Sequence, residues 1–359
     1  MIFFKTNSTI GLDISDLSLK ACRLSKRRGG IYLDSFKTAP VPDNYIEKGR
    51  ILEKEKVAEL IKRVLKEVQG GRLKKTLINT VLPETATFVK LIKDLKTDSD
   101  GKSLEERIKA EIACHIPYDI KDIYLDWQEI EEDAAASKKF FLVGVCPRDI
   151  VKEYIEVLHS IGCVPNCLEI EALPIVRSIF DLNKKEVPNL ASRNIIVFDL
   201  GAARSSMIFW REQGYANMDI LEFTVSLPLS GREINKTIEQ KYKLNSAQAE
   251  QFKIQYGLTW KHGILQTLIE PLLKQFYAKI SQAIDFHKSY LEGATLNKIL
   301  LCGGGANLKG LQAMISKEFK LPVEMADPLI NIKNKKAMPR ADAMSYATAI
   351  GLALRDFYL

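Results

Sequence analysis

Residues Ile195–Phe209 read IIVFDLGAARSSMIF. β-formers run up to an Asp-x-Gly, small and hydroxyl residues follow, and β-formers resume at once, which predicts a hairpin with Asp199 at a strand end. Backbone amides in such a turn can face a phosphate, and the carboxylate beside them can hold a hydrated Mg²⁺. A lone turn Asp is common for structural reasons, so the weight lies in its recurrence. Near the N-terminus Ile10–Arg23, IGLDISDLSLKACR, repeats the rhythm with Asp13 in the equivalent place. Two such hairpins facing one another imply a cleft between two lobes. A third element, Ile299–Leu311 (ILLCGGGANLKGL), carries Gly303, Gly304 and Gly305 directly after an apolar strand. Glycines there let backbone approach a ligand closely, and Asn307 is placed to cap a following helix whose N-terminus favours negative charge. The run is neither a Lys-bearing P-loop nor a G-x-G-x-x-G fingerprint.

The bulk composition agrees with a folded multidomain chain. Its 359 residues suffice for more than one core, and 46% hydrophobic with 27% charged residues is globular usage. The net charge of +7, from 52 Lys+Arg against 45 Asp+Glu, is spread among acids, so no nucleic-acid stripe is legible. Cys22, Cys114, Cys146, Cys163, Cys167 and Cys302 form no Cys-x-x-Cys pair, which predicts reduced thiols and no structural zinc. His115, His159, His262 and His287 are scattered, and Trp127, Trp210 and Trp260 read as packing residues. The opening MIFFKTNSTIG is too short an apolar segment for secretion, and no apolar run reaches about 18 residues, so a soluble protein is expected.

Periodicity lays out the rest. Strands are expected at Thr9–Ile14, Lys20–Leu24, Ile31–Lys37 and Thr76–Leu82, with an amphipathic helix at Lys54–Val68 closed by Gly70. A linker at Lys96–Lys102 precedes a helix at Leu104–Ala113, capped by Ser103 and Glu106. Strands Ile123–Ile130 and Phe140–Val145 flank the loop Glu131–Ser137, and a helix at Asp149–Ile161 ends at Gly162. Leu168–Phe180 reads as strand then helix, and Lys184–Ser192 as a linker. Later come a strand at Ile220–Pro228 and helices at Gly231–Tyr242 and Ser246–Gln255, the second capped by Ser246. A long helix is expected over Ile264–Tyr290, kinked or interrupted at Pro271. The strand Lys298–Cys302, a helix at Leu308–Phe319, the strand Val323–Met325 and a helix at Ala341–Leu354 finish the pattern.

In order, spacing and motif type the whole chain resembles the actin-like ATPase superfamily, and within it the type IV pilus assembly protein PilM family, with the cell-division protein FtsA a more distant likeness. Gly11-Leu12-Asp13 resembles the first phosphate motif, Asp199-Leu200-Gly201 the second, and Gly303–Gly305 with Leu308 and Gly310-Leu311 the adenosine motif. Tyr346–Leu354 resembles the second interdomain connector, and His115–Trp127 (HIPYDIKDIYLDW) the Ile-Pro-Phe region of PilM. The resemblance implies an α/β, two-lobed actin-like (duplicated ribonuclease H-like) ATPase fold. Lobe I (1A-like) would take 1–82 and 165–192, completed by 341–359; a small inserted 1C-like α+β module would take 83–164; lobe II (2A/2B-like) would take 193–340.

It also implies ATP and Mg²⁺ as ligands. Phosphate and nucleotide contacts would come from Asp13, Ser15, Ser18, Lys20, Asp199, Gly201, Ser205, Gly303, Gly304, Gly305 and Asn307. Gly231, Glu250 and Lys253 would grip ribose and base. Asp13 and Asp199 would hold the metal through water, and Glu171, in LEIEALPIV, would orient the attacking water. Ile116, Pro117 and Tyr118 would contribute to a groove for the cytoplasmic tail of a PilN-like inner-membrane protein. The implied function is a cytoplasmic ATP-binding scaffold of pilus or related secretion machinery, peripheral at the inner membrane. Ser15 in place of the usual Gly, Ala203-Arg204 in place of small hydroxyl residues and Asn235 in place of Thr depart from the pattern, while Ser18, Ser205 and Ser206 keep hydroxyls nearby. Binding is therefore expected over rapid hydrolysis. Two alternatives stand beside this reading. An FtsA-like filament former and membrane anchor calls for an amphipathic C-terminal helix, whereas the sequence given runs from the connector straight into Arg355–Leu359. A small-molecule kinase calls for a catalytic Asp in a polar pocket, and no candidate stands out.

Overall fold

The computed structural model describes residues 9–92, 102–131, 139–183, 193–212, 219–262, 264–290 and 295–358. The expected linkers Lys96–Lys102 (but for its last residue) and Lys184–Ser192, and the expected loop Glu131–Ser137 (but for its first), lie outside the described residues.

The first lobe is built on β1 (Ile10–Ile14), β2 (Ser18–Arg27) and β3 (Gly30–Pro40), an antiparallel meander. β1 is buried along its whole length because it lies mid-sheet, paired with β2 on one side and parallel to a later strand on the other. A two-stranded hairpin, β4 (Ile46–Glu47) and β5 (Arg50–Ile51), follows, then α1 (Lys54–Gln69) and β6 (Leu77–Leu82). The helical spacing expected for α1 is realised: Val57, Ile61, Val64, Leu65 and Val68 are buried, and Gly70 ends the helix in the left-handed region at φ 71°.

Next come β7 (Phe88–Ile92), α2 (Leu104–Ala113), β8 (Ile123–Glu131), β9 (Lys139–Pro147), α3 (Arg148–Ser160), β10 (Val164–Ile170) and α4 (Ala172–Ile179). The capping box predicted for α2 is present, with Ser103 and Glu106 reciprocally bonded. The second lobe contains β11 (Arg193–Leu200), β12 (Ser205–Glu212), β13 (Ile220–Leu227), α5 (Gly231–Tyr242), α6 (Ser246–Tyr256), α7 (Ile264–Leu268), α8 (Glu270–Tyr290), β14 (Leu296–Cys302), α9 (Leu311–Phe319) and β15 (Val323–Met325). Helices α10 (Arg340–Ser345) and α11 (Ala347–Tyr358) follow.

Two large sheets result, in the orders β10-β6-β1-β2-β3 and β15-β14-β11-β12-β13-β7-β9-β8. The second sheet carries β7, β9 and β8 on its edge, joined to β13 through the pair Phe223↔Lys90. α2 covers that extension, burying Ile108 and Ile112 with Ile92, Phe141 and Val143. α3 goes elsewhere: Ile150, Tyr154, Val157 and Leu158 pack into the first lobe's core with the apolar face of α1. The segment expected as one inserted unit over 83–164 is thus shared out, because the apolar stripe of α3 is covered by the first lobe and not by its sequence neighbours. α11 lies against β1 and α4; a Cβ at Gly351 would stand 1.7 Å from the Pro174 carbonyl oxygen, so only glycine permits that crossing.

Several local expectations are corrected. The helix expected over 264–290 breaks at Ile269, and Pro271 falls in the first turn of α8, where its missing N–H costs nothing. The last helix divides at Tyr346 into α10 and α11. α6 is capped by Asn245, one residue before Ser246, because Gln248 then stands where it can close a capping box. Among the described residues, no helix is long and apolar enough to cross a membrane.

Candidate functional site

The β1–β2 and β11–β12 turns approach from opposite lobes. In the first, the register sets Asp13 across from Lys20, whose Nζ lies 3.6 Å from Asp13 Oδ2 and donates to Ser18 Oγ at 2.7 Å. The Ser15 N–H and Oγ both donate to the Ser18 carbonyl, at 3.1 and 3.0 Å, closing the turn. In the second, Asp199 faces Ser206 and Leu200 faces Ser205 across the hairpin. β14 runs parallel to β11 and delivers Gly303, at φ 80°, onto the end of the Asp199 strand. A Cβ at Gly303 would come within 2.5 Å of Leu200 O and 2.6 Å of Asp199 Oδ1. Asn307 does not cap α9: its Nδ2 donates to Ala341 O at 3.0 Å, and the helix starts later, from Gly310, with no side-chain cap.

α5 begins at Gly231, with Ser230 as its N-cap. The Gly231 and Arg232 amides donate to Gly201 O (3.1 Å) and Ala202 O (2.8 Å), so the helix start is tied to the second turn. Glu250 accepts from Asn235 Nδ2 and Lys253 Nζ, each at 2.7 Å, holding α5 to α6. A cleft of about 1070 Å³ is lined by Gly201, Ser205, Gly231, Asn235, Glu250, Lys253, Gly304, Gly305 and Asn307, with Asp43, Ile46 and Glu47 from the first lobe. Asp13, Ser15, Ser18, Lys20, Glu171, Asp199 and Gly303 are not part of that lining; they adjoin it through the Gly201–Ser205 turn.

The adjoining cluster is acidic and poorly solvated. Burial pushes the Glu171 carboxyl up to about 8; the Arg204 guanidinium opposes this, while Asp199 and Asp13 add to it. Burial and the Asp13 charge push Asp199 up to about 7. Burial raises Asp13 too, against the pull of Lys20 and Arg204. Glu84, which the sequence reading missed, is pushed up to about 7 by burial and by Glu171. Asp13 Oδ1, Ser205 Oγ and Asn235 Oδ1 are buried without a protein partner. Such atoms cost about 1–3 kcal/mol each unless something meets them. Ser205 Oγ can donate to a phosphate, Asn235 Oδ1 can accept from a hydroxyl, and Asp13 Oδ1 can accept from a water held by a cation. Among the described residues, no three His, Cys, Asp or Glu side chains converge to hold a metal directly. The pair Asp13 and Asp199, with a free oxygen and a raised carboxyl, fits a cation bound through its water shell.

A second cavity, of about 930 Å³, lies on the other side of the β4–β5 hairpin. It is lined by Glu47, Lys48, Arg50, Leu52, Thr85, Tyr118, Arg148, Asp149 and Lys152, among others. Of the three residues expected at a partner groove, Tyr118 lines it and is 37% exposed. Ile116 instead packs in the core beside α2, and Pro117 is exposed outside the lining. The other lining residues carried no motif and were invisible in the sequence.

Comparison with known proteins follows the same lines. The family model described as type IV pilus assembly protein PilM matches residues 11–357. Among solved structures, the chain is similar to a PilM-PilN type IV pilus biogenesis complex, with TM-score 0.80 at 22% identity, covering 97% of this chain and 98% of that one. It is also similar to the ethanolamine utilization protein EutJ from Carboxydothermus hydrogenoformans, with TM-score 0.52 at 12% identity over 96% of this chain and 89% of that one. MreB5 of Spiroplasma citri bound to ADP gives TM-score 0.51 at 12% identity, over 98% and 97% of the two chains. The two-lobed actin-like architecture read from the Asp hairpins and the glycine run is the fold these structures share. With a family match over nearly its full length, the chain belongs to the type IV pilus assembly protein PilM family.

Proposed function

We propose that the chain is an ATP-binding scaffold of type IV pilus assembly that docks the cytoplasmic tail of a PilN-like inner-membrane protein. The observation that carries the nucleotide half is a cleft lined by the second Asp turn, the start of α5 and the glycine run, with Asp13 and Asp199 adjoining it and three buried polar atoms facing no protein partner. ADP in the similar MreB5 structure supports the same ligand class. In this reading Gly201, Ser205, Gly304 and Gly305 receive the phosphates, Gly231, Glu250 and Lys253 the ribose and base, and Asp13 and Asp199 a hydrated Mg²⁺. Bound there, Mg²⁺ would neutralise phosphate charge. Glu171, its carboxyl pushed up to about 8 by burial, is a poor base unless a cation lowers it, so turnover is slow.

The partner half rests on the cavity beside Tyr118 and on the PilM-PilN pairing of the similar structure. Its lining includes apolar surface, with Leu52 52% exposed, beside the charged Glu47, Lys48, Arg50 and Arg148. An amphiphilic peptide fits that description. A ligand that contacts both lobes favours the closed arrangement, which would reshape this surface. The protein would sit on the cytoplasmic side of the inner membrane through its partner. Calorimetric titration with a synthetic PilN-like tail tests the groove: Leu52→Asp with Tyr118→Ala should weaken binding by at least about tenfold, roughly 1.4 kcal/mol. An unaltered affinity would remove the groove from the proposal.

A further inference from the structure

The two cavities share a wall, and one side chain from the second lobe is attached to it. The wall is the β4–β5 hairpin, and Glu47 lines both cavities. Its turn, Lys48-Gly49, has both φ angles positive, 49° and 81°, as a tight two-residue hairpin requires. Every polar backbone atom of that turn is bonded to a side chain from elsewhere in the fold. Asp16, in the β1–β2 phosphate turn, accepts the Lys48 and Gly49 amides on its two oxygens at 2.9 Å each. Thr85 Oγ1 donates to Lys48 O at 2.6 Å, and the buried Tyr154 hydroxyl donates to Gly49 O at 3.0 Å.

Arg204 reaches this assembly from the β11–β12 turn of the opposite lobe. Its Nη1 donates to Thr85 Oγ1 at 3.3 Å, and its Nη2 lies 3.7 Å from Asp16 Oδ1. A Cβ at Gly49 would come within 3.3 Å of the same Nη1, so the guanidinium lies on the turn itself. On the other face, Arg50 of the hairpin bonds to Glu153 of α3 at 2.7 Å and to Asp149. The wall is therefore gripped from the cleft side by Asp16 and Arg204, and from the groove side by α3.

We propose that Arg204 is a positioning residue that links occupancy of the cleft to the shape of the groove. Phosphates arriving at the second turn compete with Asp16 and Thr85 for its guanidinium. Once drawn away, it no longer holds Thr85 and Asp16 in place against Lys48 and Gly49, and the hairpin loosens. The groove, walled by Lys48, Arg50 and Thr85, is altered without any ligand crossing between the cavities. By reciprocity, a peptide that fixes the hairpin changes the affinity for nucleotide. This inference rests on the reading of the cleft as a nucleotide site.

Hydrogen exchange of the full chain, with and without ATP and Mg²⁺, tests it, with displacement of a fluorescent ATP analogue reporting binding separately. ATP should speed exchange in peptides spanning 44–52 by about fivefold in the wild-type chain. Thr85→Val removes a competitor for the guanidinium along with the bond to Lys48 O. It should bind ATP at least as tightly and exchange faster at rest, yet show a response below about twofold, and Thr85→Ser should restore the response. Two results overturn the link: ATP binds and exchange over 44–52 does not move, or Thr85→Val responds as the wild type does. If ATP is not bound at all, the nucleotide reading itself falls, and the link with it.

Discussion

At the scale of single residues, the chemistry of the cleft is set by burying carboxyls faster than cations can offset them. Glu171, at the residue before α4, stands near Asp199 and Asp13 with Arg204 as its main counter-charge, and its carboxyl is pushed from an ordinary 4.5 up to about 8. The sign of the consequence follows from proton binding. Between pH 4.5 and 8 the folded chain holds a proton that the unfolded chain has lost, so the ligand-free protein loses stability as pH rises through that window. Glu171→Gln removes the penalty. Its thermal midpoint should exceed that of the wild type at pH 8 by an amount worth up to roughly 4 kcal/mol, and the difference should vanish near pH 4.5. Melting curves across that range check it; a variant less stable at pH 8 would contradict the account. Asp13, Asp199 and the three glycines were legible because their chemistry is written in residue type and spacing. Glu84 and Asp16 were not, since their roles depend on which loops the fold brings to the cleft.

At the scale of elements, the best-read segments are those whose apolar period and ends agree. α2 and α5 have the boundaries expected of them because a Ser cap at one end and the pattern behind it point to the same start. α3 shows where such reading stops. Its periodicity names an apolar face but not the surface that covers it, and the answer lay with α1, distant in sequence. α4 and α11 add a polar joint that no motif announces. Glu169 on β10 is 4% exposed and takes both nitrogens of Arg177, at 2.7 and 2.8 Å, together with Arg355. Removing the shared acid leaves two guanidinium groups with less compensation. Glu169→Ala should therefore destabilise the chain by about 3–5 kcal/mol, read from urea unfolding, because a broken buried pair costs more than the intact pair contributes. A change below about 1 kcal/mol would mean that solvent already reaches the joint.

At the scale of the whole molecule, the two lobes share an apolar core, in which Ala172, Ile175, Val176 and Ile179 of α4 pack with Ile195, Val197, Ile208 and Leu300 of the second sheet. Arg204 with Asp16 and Thr85, and Arg232 with Asp43 at 3.8 Å, span the cleft near its lining. Beyond the cleft, the β13–β7 pairing joins the edge strands to the second lobe, and α4 and α11 pack together within the first. The central claim is that the cleft binds ATP with Mg²⁺ through both Asp hairpins. Calorimetric titration of the full chain with ATP and Mg²⁺, beside the near-isosteric Asp199→Asn variant, is the most direct test. The account predicts saturable one-site binding by the wild type and a loss of at least about tenfold in affinity in the variant, roughly 1.4 kcal/mol. No heat of binding in the wild type, or equal affinity in both chains, would contradict it.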